Sequence, residues 1–328
     1  LLNVSVIIVT WNSGELIRKT LNALGKQTYP IHEVIVVDNA STDSSADGLE
    51  EYYPDVKVVR LNQNIGFAAA NNYAARLTSG DCKWLAMLNP DAFPEPDWLA
   101  SLTDAIKKYP EYKFFGSRLM KANQPSIIDG TGDINHISGL VWRDGHEKEA
   151  NASMFKTKEI FSPCGAAALY NKEAFVEANG FDEDYFCYVE DVDLGFRLRL
   201  LGYRCLYVPE SVVYHIGSAT TSVGSDFSIY HGHRNLVWTY LKNMPGVLFW
   251  LFLPLHILLN LFIVIWFSLR GKGFVILRSK LDALRGIPRM WKKRHAIQNK
   301  RKVSLRDIWR VLDKSFLPRF THISRRFS

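Results

Sequence analysis

The feature that most constrains this chain is the regular alternation at its start. Four short apolar runs stand there: "VSVIIVT" (4–10), "EVIVVDN" (33–39), "VKVVRL" (56–61) and "WLAMLNPD" (84–91). Between them lie "NSGELIRKTLNALGKQ", "SADGLEEYY" and "GFAAANNYAARLTSG", whose apolar residues recur at helical spacing. Continuously apolar strands need cover on both faces, and strands joined by helices run parallel. The pattern predicts an α/β fold in which a parallel sheet is covered by helices on both faces. Ligands of such sheets bind at the carboxyl ends of the strands. Those ends carry Thr10, Asp38, Asn39, Asn62, Asn64, Gly66, Asn89 and Asp91, so polar residues gather where a site is expected. From about residue 114 the alternation weakens into loops and short strands, until a helix begins near Asp191.

The rest of the chain differs in kind. Residues 247–269, "VLFWLFLPLHILLNLFIVIWFSL", hold no formal charge, and a straight helix of that length spans roughly 34 Å, enough for a hydrocarbon core. Charge is sharply divided. Residues 270–328 carry 18 Lys/Arg against 3 Asp/Glu, net +15, whereas residues 1–269 hold 22 basic and 30 acidic residues, net −8. A basic tail on an acidic body points to an anionic surface. Trp250 and Trp266 near the ends of the apolar segment favour a membrane over a buried core helix. A single crossing would put the basic tail on the far side from a cytoplasmic body, against the positive-inside tendency. A kink at Pro254 would instead keep both ends on one face, with "KKRHAIQNKRK" against lipid head groups. The expected arrangement is monotopic or peripheral. Four scattered cysteines without CxxC spacing read as packing residues of a reducing compartment, and "LLNVSVIIVTW" reads as a buried strand rather than a signal peptide.

No GxGxxG follows the first strand and no GxxxxGK[ST] occurs, so a nicotinamide-dependent dehydrogenase or a P-loop enzyme fits poorly. Asp38 closes a buried strand and can accept hydrogen bonds from a nucleobase or ribose; Ser41, Thr42 and Asp43 are better placed to cap the next helix. Asp91 in "NPDAF" can hold a divalent cation shared with phosphate oxygens, or can make an Asx-turn before Pro94. Asn72 suits a nucleotide contact and a local hydrogen bond equally. In "CYVEDVDLGFRLRLLGY" three acids, Glu190, Asp191 and Asp193, crowd the start of a helix, where its positive end favours a charged carboxylate. Asp193 stands four residues before Arg197, a helix-supporting ion-pair spacing.

The ordered set "IVTWNS", "VVDNASTD", "NIGFAAANN", "LNPDAF", "PCGAAALYNKEAFVEANGFDEDYF", "EDVDLGFRLRLLGY" and "VPESVVYHIGSATT" resembles the inverting glycosyltransferases of family 2, above all their bacterial rhamnosyltransferase-like branch. The match covers about residues 3–240. It implies the nucleotide-diphospho-sugar transferase (GT-A) fold, an α/β fold with a Rossmann-like mixed sheet, for residues 1–240, with 241–328 as an apolar membrane-associated helix (about 247–269) and basic amphipathic tail. By that resemblance Asp191 is the general base and Glu190 orients the acceptor. Thr10, Asp38, Asn39, Gly66, Asn72 and Asn89 border the nucleotide. Asp91 and His215 hold a divalent cation, Mg2+ or Mn2+. The family's Asp-x-Asp reads Asn89-Pro90-Asp91 here, which leaves one ligand carboxylate. Arg234 in "HGHRN" would meet the diphosphate or pair at the surface, and Cys164 and Gly165 would flank donor or acceptor.

The resemblance further implies transfer of L-rhamnose from dTDP-L-rhamnose to a lipid-linked saccharide in cell-surface polysaccharide synthesis, at the cytoplasmic face of a bacterial membrane. Other nucleotide sugars, UDP-hexose or GDP-sugar, remain alternatives. The partners expected are a nucleotide-sugar donor, a lipid-linked acceptor and an anionic membrane surface, with an oligomer possible. Nucleic acid is not expected, because the tail lacks the Gly/aromatic patterns of such binders. A processive synthase would need several spanning helices and a Gln-x-x-Arg-Trp motif, which the chain lacks.

Overall fold

The computed structural model describes residues 1–217 and 224–315. Residues 218–221 of the motif "HIGSATT", and the basic tail from residue 316, lie outside the described residues.

The strands β1 (Val4–Thr10), β2 (Glu33–Asp38), β3 (Val56–Arg60) and β4 (Trp84–Leu88) pair in parallel, in the order β3-β2-β1-β4. They alternate with helices α1 (Leu16–Leu24), α2 (Leu49–Tyr52) and α3 (Phe67–Leu77). The helix predicted over "SADGLEEYY" shrinks to a 3-10 turn and the single turn α2, because Gly48 between them takes φ +64°. After β4 come β5 (Ala92–Pro94), α4 (Trp98–Lys108), β6 (Tyr112–Lys121) and β7 (Gln124–Gly130). A separate ribbon pairs β8 (Asp133–Asn135) with β9 (Val141–Arg143). Then come β10 (Lys148–Glu149), β11 (Lys158–Ile160), β12 (Ala167–Asn171), α5 (Lys172–Glu177), α6 (Glu190–Leu200) and β13 (Arg204–His215). Beyond β4 the sheet is mixed. β12 inserts antiparallel between β4 and β6, β7 turns back on β6, and β13 runs parallel to β6.

The stretch after residue 114 departs from the expected loops and short strands. β6 and β13 are ten and twelve residues long, and α4 precedes them. Ser117, Arg118 and Glu210 interrupt their apolar pattern. Ser117 is nevertheless buried, its hydroxyl accepting from Trp98 Nε1 at 2.8 Å.

Two apolar layers sandwich the sheet. On one face Ile17, Leu21, Trp98 and Leu102 pack against Val6, Ile8, Ala86 and Leu88. On the other Ala70, Ala74, Phe175, Leu194 and Leu198 meet Ile7, Val9, Leu85 and Met87. Alternate residues of one strand therefore feed opposite layers, as the period of a strand requires. The chain moves outward from β1 to β3 and then returns to the other side of β1 with β4. The reversal opens a crevice at the carboxyl ends of β1 and β4, beside Thr10 and Asn89–Asp91.

A third apolar cluster joins the ribbon to five helices: α7 (Asp226–Asn243), α8 (Gly246–Ser268), α9 (Gly273–Arg285), α10 (Ile287–Asn299) and α11 (Leu305–Val311). Helix α7 runs through the expected boundary at residue 240 and packs on α6 as well as on α9 and α10. Pro254 lies inside α8 without interrupting it, so the predicted reversal at Pro254 is absent. Its missing N–H removes one helical bond and its ring crowds the carbonyl four residues back, yet the helix continues through it. The chain turns instead at Leu269–Lys272, with Gly271 at φ +76°.

Candidate active site

A cavity of about 810 Å³ opens at the crevice. Asn39 and Asn64 close one end. Asn39 Nδ2 donates to Asn64 Oδ1 (2.9 Å), Asn39 Oδ1 accepts from the Ile65 N–H (2.9 Å), and Asn64 Oδ1 also accepts from the Gly66 N–H (2.9 Å). These bonds pin the loops after β2 and β3, and Trp11 and Ser13 extend the same wall. Asp38 and Thr10 lie buried behind it. Asp38 Oδ1 accepts from the Ser41 N–H (3.2 Å), and the Thr10 hydroxyl is 2.6 Å from that of Ser13. Neither lines the cavity, whereas Asn39 next to Asp38 does.

Asn89, Asp91 and His215 meet in the middle. Asp91 leaves β4 and His215 ends β13, where the Ile216 N–H donates to the Asp91 carbonyl (3.1 Å) and locks the two ends together. His215 Nε2 lies 3.4 Å from Asp91 Oδ1 and 3.5 Å from Asn89 Nδ2. On its far side, Nδ1 sits 2.9 Å from Asp129 Oδ2. Asp129 also accepts from Arg143 Nη1 (2.7 Å) and faces His146 (3.4 Å). Burial would raise the Asp129 carboxyl, but the Arg143 charge and hydrogen bonds from His146 and His215 hold it well below the usual carboxylate range. Burial would lower the His215 imidazole, and the flanking Asp91 and Asp129 overcome this and raise it to about 9.

The fit to a divalent cation rests on this donor set. Among the described residues no three His, Cys, Asp or Glu side chains form a cage. Asp91 and His215 Nε2 face the cavity together, and Asn89 Oδ1 beside them is a buried oxygen without a hydrogen-bond partner. One carboxylate, one imidazole and one amide oxygen suit Mg2+ or Mn2+, provided that phosphate oxygens complete the shell. Asp129 accepts the Nδ1 proton and so fixes the ring with Nε2 toward the cavity, as carboxylates behind histidine ligands commonly do.

The opposite wall is the start of α6. Asp191 Oδ2 accepts from the Gly165 N–H (2.9 Å) and Oδ1 from the Val192 N–H (2.8 Å). A Cβ at Gly165 would stand 3.3 Å from Asp191 Oδ2, so glycine leaves this carboxylate its room. Glu190 and Cys164 line the cavity beside it, and burial drives the Cys164 thiol up to about 12. Asp193 points away. It is fully buried, with Oδ2 2.9 Å from Arg197 and Oδ1 2.8 Å from both Lys242 and Asn243. Acids of one turn thus face different surroundings, the cavity for Asp191 and a buried ion-pair network for Asp193.

What holds α6 in place is a strained loop. Phe186, Tyr188 and Val189 have φ of 66°, 67° and 69°, a conformation that non-glycine residues adopt at a cost of about 1–2 kcal/mol each. Asn235 on α7 offsets it. Its Nδ2 donates to the carbonyls of Tyr185 (3.0 Å), Cys187 (2.9 Å) and Tyr188 (2.8 Å). Arg234 is placed elsewhere than expected. Its Nη2 donates to the Asp184 (3.2 Å) and Tyr185 (3.0 Å) carbonyls, and its guanidinium stacks on Trp238, outside the cavity. It clamps the loop rather than reaching a diphosphate. Asn72 is likewise committed, giving Nδ2 to the Phe181 carbonyl and accepting from the Phe181 N–H, both at 2.8 Å. Gly66 lies off the cavity too. A Cβ there would meet Phe186 at 2.6 Å, so it serves close packing of α3 on the strained loop.

Sequence reasoning missed Asp129, Arg143 and His146, which line the cavity, as well as Asn235 and the aromatic rim of Phe186, Tyr188 and Phe227. Asp129 carries the same signal as Asp38 and Asp91, an acid closing an apolar run ("SIIDG"), but in a stretch without regular alternation.

Similarity to known proteins agrees with this geometry. The family profile described as "Glycosyl transferase family 2" matches residues 5–177, over half of the chain. The N-acetylglucosaminyl-diphospho-decaprenol L-rhamnosyltransferase of Mycobacterium tuberculosis is 29% identical over 231 residues, 64% of this chain and 75% of that protein. The glycosyltransferase AglE of Haloferax volcanii is 38% identical over 217 residues, 65% of this chain and 66% of its own length. Among solved structures, the mannosyltransferase PcManGT of Pyrobaculum calidifontis, in complex with GDP-Man and Mn2+, shares the fold. It superposes with a TM-score of 0.54 at 19% identity, covering 94% of this chain and 87% of that one.

Proposed function

Because the chain belongs to glycosyl transferase family 2 and has the GT-A fold, we propose that it transfers L-rhamnose, with inversion, from dTDP-L-rhamnose to a hydroxyl of a lipid-linked saccharide in cell-surface polysaccharide assembly. The observation that carries the reaction type is the opposition of two groups across one cavity. The Asp191 carboxylate, fixed by two backbone N–H groups, faces the space that Asp91, His215 and Asn89 border from the other side. The donor sugar and the acceptor class rest on the mycobacterial relative, whose name specifies a rhamnosyltransferase acting on a diphospho-decaprenol carrier.

In this reading the nucleotide lies along Asn39, Asn64 and Trp11, with Asp38 and Thr10 stiffening the wall from behind. Asp91, His215 and Asn89 would hold a divalent cation, which would supply positive charge to offset that on the leaving diphosphate. Asp191 takes the proton of the acceptor hydroxyl as that oxygen attacks the anomeric carbon. The bond from carbon to diphosphate oxygen breaks on the opposite side, which inverts the configuration. Glu190, one residue earlier in the same turn, orients the acceptor, and Gly165 keeps side chains out of the approach. Phe186, Tyr188 and Phe227 offer apolar faces for a sugar ring at the mouth.

The test is a donor comparison with the full chain, a lipid-linked saccharide acceptor and Mg2+. Turnover from dTDP-L-rhamnose, exceeding that from UDP-hexoses and GDP-mannose, with an inverted product anomer by NMR, is expected. Preference for a UDP- or GDP-sugar overturns the donor, and a retained anomer overturns the role of Asp191.

A further inference from the structure

We infer that α8 and α9 form a docking face for an anionic lipid bilayer and that α8 lies in the plane of that bilayer without crossing it. The inference rests on the acceptor reading above and deepens it, by specifying the surface that brings a lipid carrier to the cavity.

The apolar face is concentrated. Of 19 large apolar residues exposed among the described residues, 14 fall between Val247 and Leu284. On α8, Trp250, Leu251, Leu258, Leu261 and Ile265 recur at helical spacing, and Leu258 is 64% exposed. Phe274, Leu277, Leu281 and Leu284 form a second stripe along α9, with the exposed Arg278 and Arg285 at its flank. An uncharged face of this extent is foreign to a water-facing surface.

The opposite face of α8 is tied to the body along its whole length. Near its start, the Phe249 carbonyl accepts from Tyr240 (2.7 Å). At its middle, His256 stacks on Tyr240 with ring centroids 4.1 Å apart and donates from Nδ1 to the Ser138 carbonyl (2.7 Å) in the loop between β8 and β9. Just past its end, Lys272 reaches Asp226 at the start of α7 (2.6 Å). Helix α8 therefore runs back along α7, with Phe267 near its end against His233 (ring centroids 4.9 Å apart), and touches the same folded body at both ends and at its centre. A spanning α8 would carry these partners with it and bury the Ser138 loop or the charged Lys272–Asp226 pair in hydrocarbon about 30 Å thick.

Charge selects the occupant. Residues 1–269 are net −8 and repel an anionic surface, whereas residues 270–292 carry seven Lys/Arg and one Asp. Arg270 lies over the Trp266 ring at 3.4 Å, an aromatic–cation pair suited to the head-group layer. Apolar face and basic flank together match an in-plane amphipathic element.

The test is flotation of the full chain with vesicles of phosphatidylglycerol and phosphatidylcholine, against phosphatidylcholine alone, without substrate. Binding to the anionic vesicles is expected. It should fall about thirty-fold in Arg278→Ala/Arg285→Ala, at about 1 kcal/mol per basic residue, and by more than about a hundred-fold in Leu258→Glu/Ile265→Glu, each variant melting like wild type. A fluorophore on Leu258→Cys should be quenched more by lipids brominated near the head group than by those brominated at the chain ends. Stronger quenching from the chain ends means a span and overturns the in-plane placement. Failure to float with an unchanged melt, or self-association through this face instead, overturns the lipid docking. Sugar transfer is assayed separately with a short-chain acceptor, so either reading can fail alone.

Discussion

Replacing Asn235 by alanine probes the link between fold and chemistry. The Asn235 amide holds three carbonyls of a loop that contains three positive-φ residues and ends at Val189, two positions before Asp191. Arg234 also serves the Tyr185 carbonyl, so the substitution strips partners from two carbonyls, those of Cys187 and Tyr188. An unsatisfied buried acceptor costs about 1–3 kcal/mol, and Cys187 and Tyr188 are both only half-buried, which brings the expected loss for the two to about 2–4 kcal/mol. At about 2 °C per kcal/mol for a large domain, the melting temperature should drop by about 4–8 °C. The relaxed loop also shifts the first turn of α6. A displacement on the order of 1 Å at a reacting group costs up to about a hundred-fold in rate. A kcat reduced about ten- to a hundred-fold is therefore expected, with the donor KM nearly unchanged, because Asn39, Asp91 and His215 sit on the sheet. Asn235→Asp keeps the shape but turns an acceptor toward the carbonyls, so it should be worse than alanine on both counts. Wild-type melting and turnover in Asn235→Ala, or a raised KM with intact kcat, would refute the reasoning.

Further outcomes rest on the same geometry. His215 is raised from 6.5 to about 9 without a cation, so its contribution, on the order of 3 kcal/mol, is complete below pH 6.5 and lost as pH rises through 9. Urea unfolding of wild type and His215→Asn in chelator should converge over that window, and a constant difference would speak against it. Gly165→Ala brings a Cβ to 3.3 Å from Asp191 Oδ2, which should lower kcat about ten-fold while the melt moves little. Equal turnover would show that this space is not needed. Asp193→Asn leaves Arg197 without its buried countercharge and Lys242 with Asp182 alone, and should destabilise by about 3–5 kcal/mol in urea. A fully stable variant would remove the distinction between the two acids.

The legible part of this protein was what local pattern dictates. Continuously apolar runs such as "VSVIIVT" state their own burial, and the polar residues that close them fall at strand ends because a parallel sheet puts them there. Asn39, Asn89, Asp91, Gly165, Glu190, Asp191 and His215 consequently meet at one cavity, though they are up to 176 positions apart in sequence. Side-chain direction was not legible. The sequence offers Arg234 as a diphosphate contact and does not mark Asn235 beside it, and only the loop of residues 184–188 folding under α7 turns both toward backbone carbonyls. Asn72 is captured in the same way by Phe181. The strands β6 and β13 are hidden because buried serines and edge charges break their pattern, and Asp129 is hidden with them. Hydropathy alone marks α8 as apolar, but it does not record that one stripe, Leu248, Phe249, His256, Leu259, Ile263 and Phe267, is buried against protein.

The central claim is that Asp191 removes the acceptor proton, and the Asp191→Asn variant tests it most directly. Asparagine keeps size and can still be held beside Gly165, so donor affinity by calorimetry with Mg2+ should stay within about two-fold of wild type. Single-turnover transfer should fall by about a hundred- to ten-thousand-fold, the range for loss of a general base. Bound donor and acceptor reacting at the wild-type rate would contradict the account.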